Sequence, residues 1–116
     1  MTTPVIENFY SRDFLLAHAQ SILDFYDPRV VDESGGYFQN FLDDGSVYDP
    51  TFRQLVSSTR IIVNYARASQ VLAKPEYVAV AEHGLRYLEE YHWQAESQSY
   101  AWTLRDHQPE DMTQQA

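Results

Sequence analysis

The sequence predicts an all-α fold of helical hairpins joined by short extended links. Three observations carry that prediction. First, Thr51 to Lys74 places Phe52, Leu55, Val56, Thr59, Ile62, Val63, Ala66 and Ser69 in the i, i+3, i+4, i+7 rhythm of a buried helical face. Second, Val78, Ala81, Leu85 and Leu88 make a narrower stripe, that of a helix with one wet side. Third, inner-type and outer-type helices alternate with extended links, the order expected of a helical toroid.

The elements follow in order. Residues 1–10 read as an irregular lead-in. Ser11 is a helix N-cap with Asp13 in the first turn, and the first helix runs to Tyr26. Asp27-Pro28 ends it, because a residue before proline avoids the helical region. Gly35-Gly36 then breaks the chain. Tyr37 to Phe41 reads as extended, Asp44-Gly45 as a turn, and Val47-Tyr48 as a short return strand.

The second helix spans Thr51 to Lys74. Besides its apolar face it carries a polar stripe of Arg53, Ser57, Arg60, Asn64 and Arg67. Lys74-Pro75 separates it from a third helix reaching His92, with Pro75 in the favoured first turn. Tyr100, Trp102 and Leu104 alternate with smaller or polar residues, as in a short strand. Pro109-Glu110-Asp111 then announces a fourth helix of which only the start is present. That ending, and the nearly all-round apolar surface of the second helix, give the expectation that residues 1–116 are one segment of a larger single domain.

Composition removes several function classes. A net charge of −9, from 17 acidic and 8 basic residues, opposes a nucleic-acid surface and an anionic membrane. The chain has no cysteine, which excludes disulfides, thiolate chemistry and cysteine-based zinc sites. No signal-peptide pattern and no membrane-length apolar run occur, so the expected compartment is the cytoplasm. His18, His83, His92 and His107 show no paired spacing on one helix, so no metal is expected; no other cofactor is expected either. His92, at a helix C-terminus, is placed where partial positive charge is favoured. The pairs Asp43-Asp44 and Glu89-Glu90 are adjacent residues that point apart, so neither can flank a glycosidic bond.

Four stretches resemble the N-acylglucosamine 2-epimerase superfamily, above all its members that interconvert mannose and fructose. They are GGYFQNFLDDGSVYD from Gly35, QLVSSTRIIVNYARAS from Gln54, HWQAESQSYAWTL from His92 and DMTQQA from Asp111. The resemblance implies an (α/α)6 barrel, of which this chain holds the N-terminal portion: an outer, an inner and an outer helix. It also implies an aldose–ketose isomerase or 2-epimerase working through a cis-enediol, with a monosaccharide substrate and no metal. The family's acid–base histidines fall beyond Ala116, so the chain alone is expected to be inactive, its partner being the remainder of the barrel. Some members have Gly-Gly where this chain has Gln98-Ser99, and tryptophan where it has Val56.

Arg60 matches the family arginine that hydrogen-bonds the oxygens around C1 and C2, a catalytic and substrate-binding role. From the residues alone, an internal ion pair with one of the many carboxylates stays open. Trp102, with Tyr100, offers an aromatic face to a sugar, or else fills a hydrophobic plug. Arg53 and Arg67 read as ion pairs near the helix ends. The competing reading is a small all-α module that binds a protein or peptide through the apolar face of the second helix.

Overall fold

Helix α1, Arg12–Tyr26, starts as its cap predicts: the Ser11 side chain accepts from the Phe14 N–H at 3.1 Å. The structure, a computed structural model, describes residues 10–115. The expected lead-in therefore lies, apart from Tyr10, outside the described residues. Strands β1, Asn40–Phe41, and β2, Val47–Asp49, form a small antiparallel hairpin about the Asp44-Gly45 turn. Strand β3, Phe52–Gln54, runs directly into α2, Leu55–Val71. Helix α3, Tyr77–Tyr87, continues through a π-helical turn, Leu88–His92, into β4, Trp93–Gln94. Strands β5, Ser99–Arg105, and β6, Gln108–Gln115, complete the chain.

The fold is thus mixed α and β, and the all-α expectation is corrected. Strand β5 is the centre of an antiparallel sheet. It pairs with β4 near its start, with β3 near its end, and with β6 alongside. Two sequence readings fail here for physical reasons. Phe52 and Arg53 fit a helical rhythm, yet they pair with Arg105 and Leu104, so α2 begins only at Leu55. Pro109-Glu110-Asp111 reads as a helix start but lies in β6. Asp106 and His107 both adopt positive φ (49° and 66°), the geometry of a two-residue hairpin turn that folds the chain back on β5. Arg105 secures that return, donating from Nε to both Glu110 carboxylate oxygens at 3.0 and 3.2 Å.

The core has two centres. Val30, Tyr37, Tyr65, Ala68, Tyr77 and Ala81 gather where α2 and α3 meet the loop after α1. Tyr87, Ala101 and Leu104 form the second, under the sheet. Ala101 and Leu104 are buried at a spacing of three because the β5–β6 register shifts between them. The simple alternation expected for Tyr100, Trp102 and Leu104 is broken there. Helix α1 has no buried residue, and Leu15 and Ile22 on it are exposed. Among the described residues no helix is long and apolar enough to cross a membrane.

Candidate functional site

Between α1 and α2 lies a groove of about 290 Å³. Its walls are apolar: Ile22, Leu23 and Tyr26 from α1, Phe38 and Phe41 from the following segment, and Ile61 and Tyr65 from α2. Four polar side chains interrupt them: Gln39, Ser57, Arg60 and Asn64. An apolar cleft with a few placed polar groups is the usual form of a small-molecule site. Ser57, Arg60 and Asn64 fall three or four residues apart, so one face of α2 presents all three. Arg67, next on that stripe, lines a neighbouring groove with Val71 and Leu72.

Arg60 is exposed and makes no hydrogen bond or ion pair with any described residue. Its planar fork of donors is therefore unspent, and it is permanently charged. The ion pair left open for Arg60 is not formed with any described residue, whereas the ion pair expected of Arg53 is. That side chain is 1% exposed and forms a salt bridge with Asp32. It also donates to the carbonyls of Pro50 at 2.9 Å and Gly35 at 3.1 Å. Phe38 and Tyr87 offer their ring faces to its guanidinium at 5.6 and 5.7 Å. Gly35 and Gly36 let this happen: each has positive φ, and a Cβ on either would press on the Tyr87 ring.

Around that hub two titratable groups, Asp32 and Tyr87, are displaced from their ordinary values. Partial burial pushes the Asp32 carboxyl up, but the Ser34 hydroxyl and N–H, with Arg53, outweigh it and hold it below the ordinary value. Burial pushes Tyr87 up to about 12. The Tyr87 hydroxyl and His107 Nδ1 share a hydrogen bond of 2.8 Å. His83 Nε2 lies 3.0 and 2.9 Å from the carbonyls of Asp32 and Gly36, so that nitrogen carries the proton.

His92 departs from its expectation. It is fully buried, its Nδ1 donates to the Ala101 carbonyl at 2.8 Å, and burial lowers its pKa, so the positive charge expected at a helix end is not held there. His18 stacks on Phe14 on the outside of α1. Among the described residues no cluster of His, Asp or Glu stands in metal-binding geometry.

Trp102 is half-buried on β5 and does not line the Arg60 groove. Tyr100 packs edge-on against Trp93 at 5.0 Å, beside Glu89 on another surface. Of the residues singled out from sequence, the structure thus brings Arg60, Ser57 and Asn64 into one groove and sets Trp102 outside it. Sequence reading missed Gln39, whose side chain crosses from the loop before β1 to the start of α2. Nothing local in YFQN marks that reach.

A family profile described as N-acylglucosamine 2-epimerase (GlcNAc 2-epimerase) matches residues 36–116. The D-mannose isomerase of Marinomonas mediterranea is 49% identical over 96 residues, which are 83% of this chain and 24% of that protein. A crystal structure of a D-mannose isomerase superposes with a TM-score of 0.87 at 43% identity, over 96% of this chain and 27% of that one. Cellobiose 2-epimerase from Bacillus thermoamylovorans shares the fold at a TM-score of 0.70 and 23% identity, over 85% of this chain and 27% of its own. The chain spans about a quarter of the length of these relatives.

Proposed function

The chain belongs to the N-acylglucosamine 2-epimerase family, and from that premise we propose that it forms the arginine-bearing part of a sugar isomerase interconverting mannose and fructose. The observation that carries the reading is Arg60: a guanidinium without a partner among the described residues, on the wall of an apolar groove, with Ser57 and Asn64 on the same helix face.

The chemistry needs what that wall offers. A base takes the proton from C2 of the aldose, and electrons move onto the C1 oxygen, which takes up a proton to give a cis-enediol. Loss of the proton on the C2 oxygen and return of the carbon proton to C1 leave the ketone at C2. Negative charge develops on the oxygens at C1 and C2, which lie side by side in the cis geometry. A planar donor fork matches two adjacent oxygens, and its bonds strengthen as charge grows. Arg60 takes that role. The proton-transferring base comes from the part of the protein outside residues 1–116. Arg60 supplies fixed positive charge, so the proposed reaction needs no metal, and the proposed compartment is the cytoplasm. Trp102 is proposed as a sugar-stacking residue of a wall completed by that same remainder.

The test is a hybrid enzyme in which the matched residues of this chain replace their counterparts in the Marinomonas mediterranea D-mannose isomerase. The expected result is interconversion of mannose and fructose, undiminished by a chelator, with lyxose, glucose and cellobiose compared alongside. A folded hybrid that turns over none of them counts against the reading.

A further inference from the structure

We infer that Gln39 is a positioning residue: its amide clamps the first turn of α2 and so sets the bearing of Arg60. The inference rests on the isomerase reading for its catalytic consequence and on geometry for the clamp itself.

Helix α2 starts without a cap of its own. Gln54 stands at the N-cap position and makes no side-chain capping bond. The first turn of any helix leaves backbone N–H groups without intrahelical acceptors. Gln39, distant in sequence, meets that need from outside. Its Oε1 accepts the Gln54 N–H at 2.9 Å, and its Nε2 donates to the Ser58 hydroxyl at 2.9 Å. Ser58 is buried, so its hydroxyl has little access to water as an alternative partner. One planar amide thus holds two points, one at the end of β3 and one on the first turn of α2. Two points fix the rotation of a helix about its axis, where a single cap fixes only its end. Gln54 carries the restraint onward, because its Oε1 accepts from the Ser57 hydroxyl at 3.0 Å, and Ser57 lines the groove.

The clamp is itself held rigidly. Tyr37, two residues before, is fully buried and donates its hydroxyl to the Val80 carbonyl at 2.6 Å. The Phe38 N–H donates to the Val30 carbonyl at 2.8 Å, and the Phe38 ring lies against Arg53. Gln39 therefore transmits the position of the core to α2.

The lever is long. An arginine head group stands roughly 7 Å from the axis of its helix, so a turn of about 10° carries it by roughly 1 Å. A displacement of that size at a reacting centre costs on the order of 10²-fold in rate. A looser clamp samples such turns without fixing one, which makes the expected loss smaller.

The experiment uses the hybrid enzyme and two variants, Gln39→Met and Ser58→Ala, alone and together. Gln39→Met keeps length and removes both bonds. The expected results are a kcat at least tenfold lower per folded molecule, a KM for mannose changed less than threefold, and faster hydrogen exchange over residues 54–58. Ser58→Ala removes one bond and lowers kcat less. The double variant is no slower than Gln39→Met alone, since the two act through one clamp. A purely structural role moves the melting temperature and leaves kcat and KM per folded molecule unchanged, which overturns the inference. If Gln39→Met does not fold, Ser58→Ala decides: an unchanged kcat overturns it. If the parent hybrid is folded but turns over no sugar, the isomerase reading fails, and exchange alone judges the clamp. Faster exchange over 54–58 in Gln39→Met then supports it, and unchanged exchange overturns it.

Discussion

Replacing Arg53 by methionine tests the hub that holds the loops in place. Arg53 is 1% exposed, and its removal leaves Asp32 without its cation and the carbonyls of Pro50 and Gly35 without a donor. Breaking a buried ion pair from one side costs about 3–5 kcal/mol. Asp32 retains its two bonds from Ser34 and is 15% exposed, which places the expected loss at the lower end, about 3 kcal/mol. Unfolding entropy of about 2.1 cal/mol/K per residue makes that a fall in melting temperature of roughly 12 °C for a chain of this length. Adding Asp32→Asn should recover part of the loss, because the uncompensated charge is then gone. Thermal and urea melts followed by circular dichroism measure both. A loss under about 1 kcal/mol for Arg53→Met, or a double variant less stable than the single one, refutes the assignment of Arg53 as the hub.

Three further outcomes follow from the same geometry. Gly84→Ala places a Cβ against the Tyr37 ring and hydroxyl, which the Val80 carbonyl holds in place, so a loss of about 1–3 kcal/mol is expected in a urea titration. Tyr65→Phe removes a buried hydroxyl without a hydrogen-bond partner among the described residues and should cost under about 0.5 kcal/mol, whereas Tyr37→Phe gives up a bonded hydroxyl and should cost about 1 kcal/mol. Stability should fall on acidification in two windows, read from urea midpoints against pH. The first belongs to His92: burial lowers its folded pKa, so its contribution is full above its ordinary 6.5 and declines as pH falls from there toward the folded value. The second belongs to Asp32: its contribution is present above its ordinary 3.8 and is lost as pH falls through its lower folded value. His92→Asn should flatten the first window and Asp32→Asn the second.

The parts legible in the sequence are those fixed by neighbours along the chain. Ser11 caps α1 and Asp44-Gly45 turns the first hairpin, each through contacts within a few residues, whereas Pro75, expected in the first turn of α3, lies just before its N-cap Glu76. The missed parts depend on distant partners. Phe52 and Arg53 satisfy a helical rhythm, and only β5 makes them a strand. Pro109 to Asp111 carries every local mark of a helix start, and the tight turn at Asp106-His107 overrides it by pairing β6 with β5. At the site, periodicity alone placed Ser57, Arg60 and Asn64 on one face of α2. It read Arg53 as an ion pair, which the salt bridge to Asp32 bears out, and left Arg60 open between an ion pair and a ligand contact, since what the loops bring to each decides. Asp32 and Gly35 meet Arg53, and nothing among the described residues meets Arg60. Trp102 shows the limit of composition: an aromatic residue on a strand has two faces available, and burial patterns alone do not choose one for a sugar.

The central claim is that the free guanidinium of Arg60 grips the oxygens on which charge develops. Arg60→Lys in the hybrid enzyme measures this most directly, with kcat, KM for mannose and melting temperature taken on one preparation. Lysine keeps the charge and most of the stem and loses the planar fork. Because Arg60 has no partner among the described residues, the substitution breaks no internal bond there, and the melting temperature should stay within a few degrees. The account predicts a kcat lower by roughly 10²-fold or more, the scale of losing one oxyanion donor, with a smaller change in KM. A normal kcat per folded molecule contradicts it and leaves Arg60 as a solvent-facing arginine in a family fold.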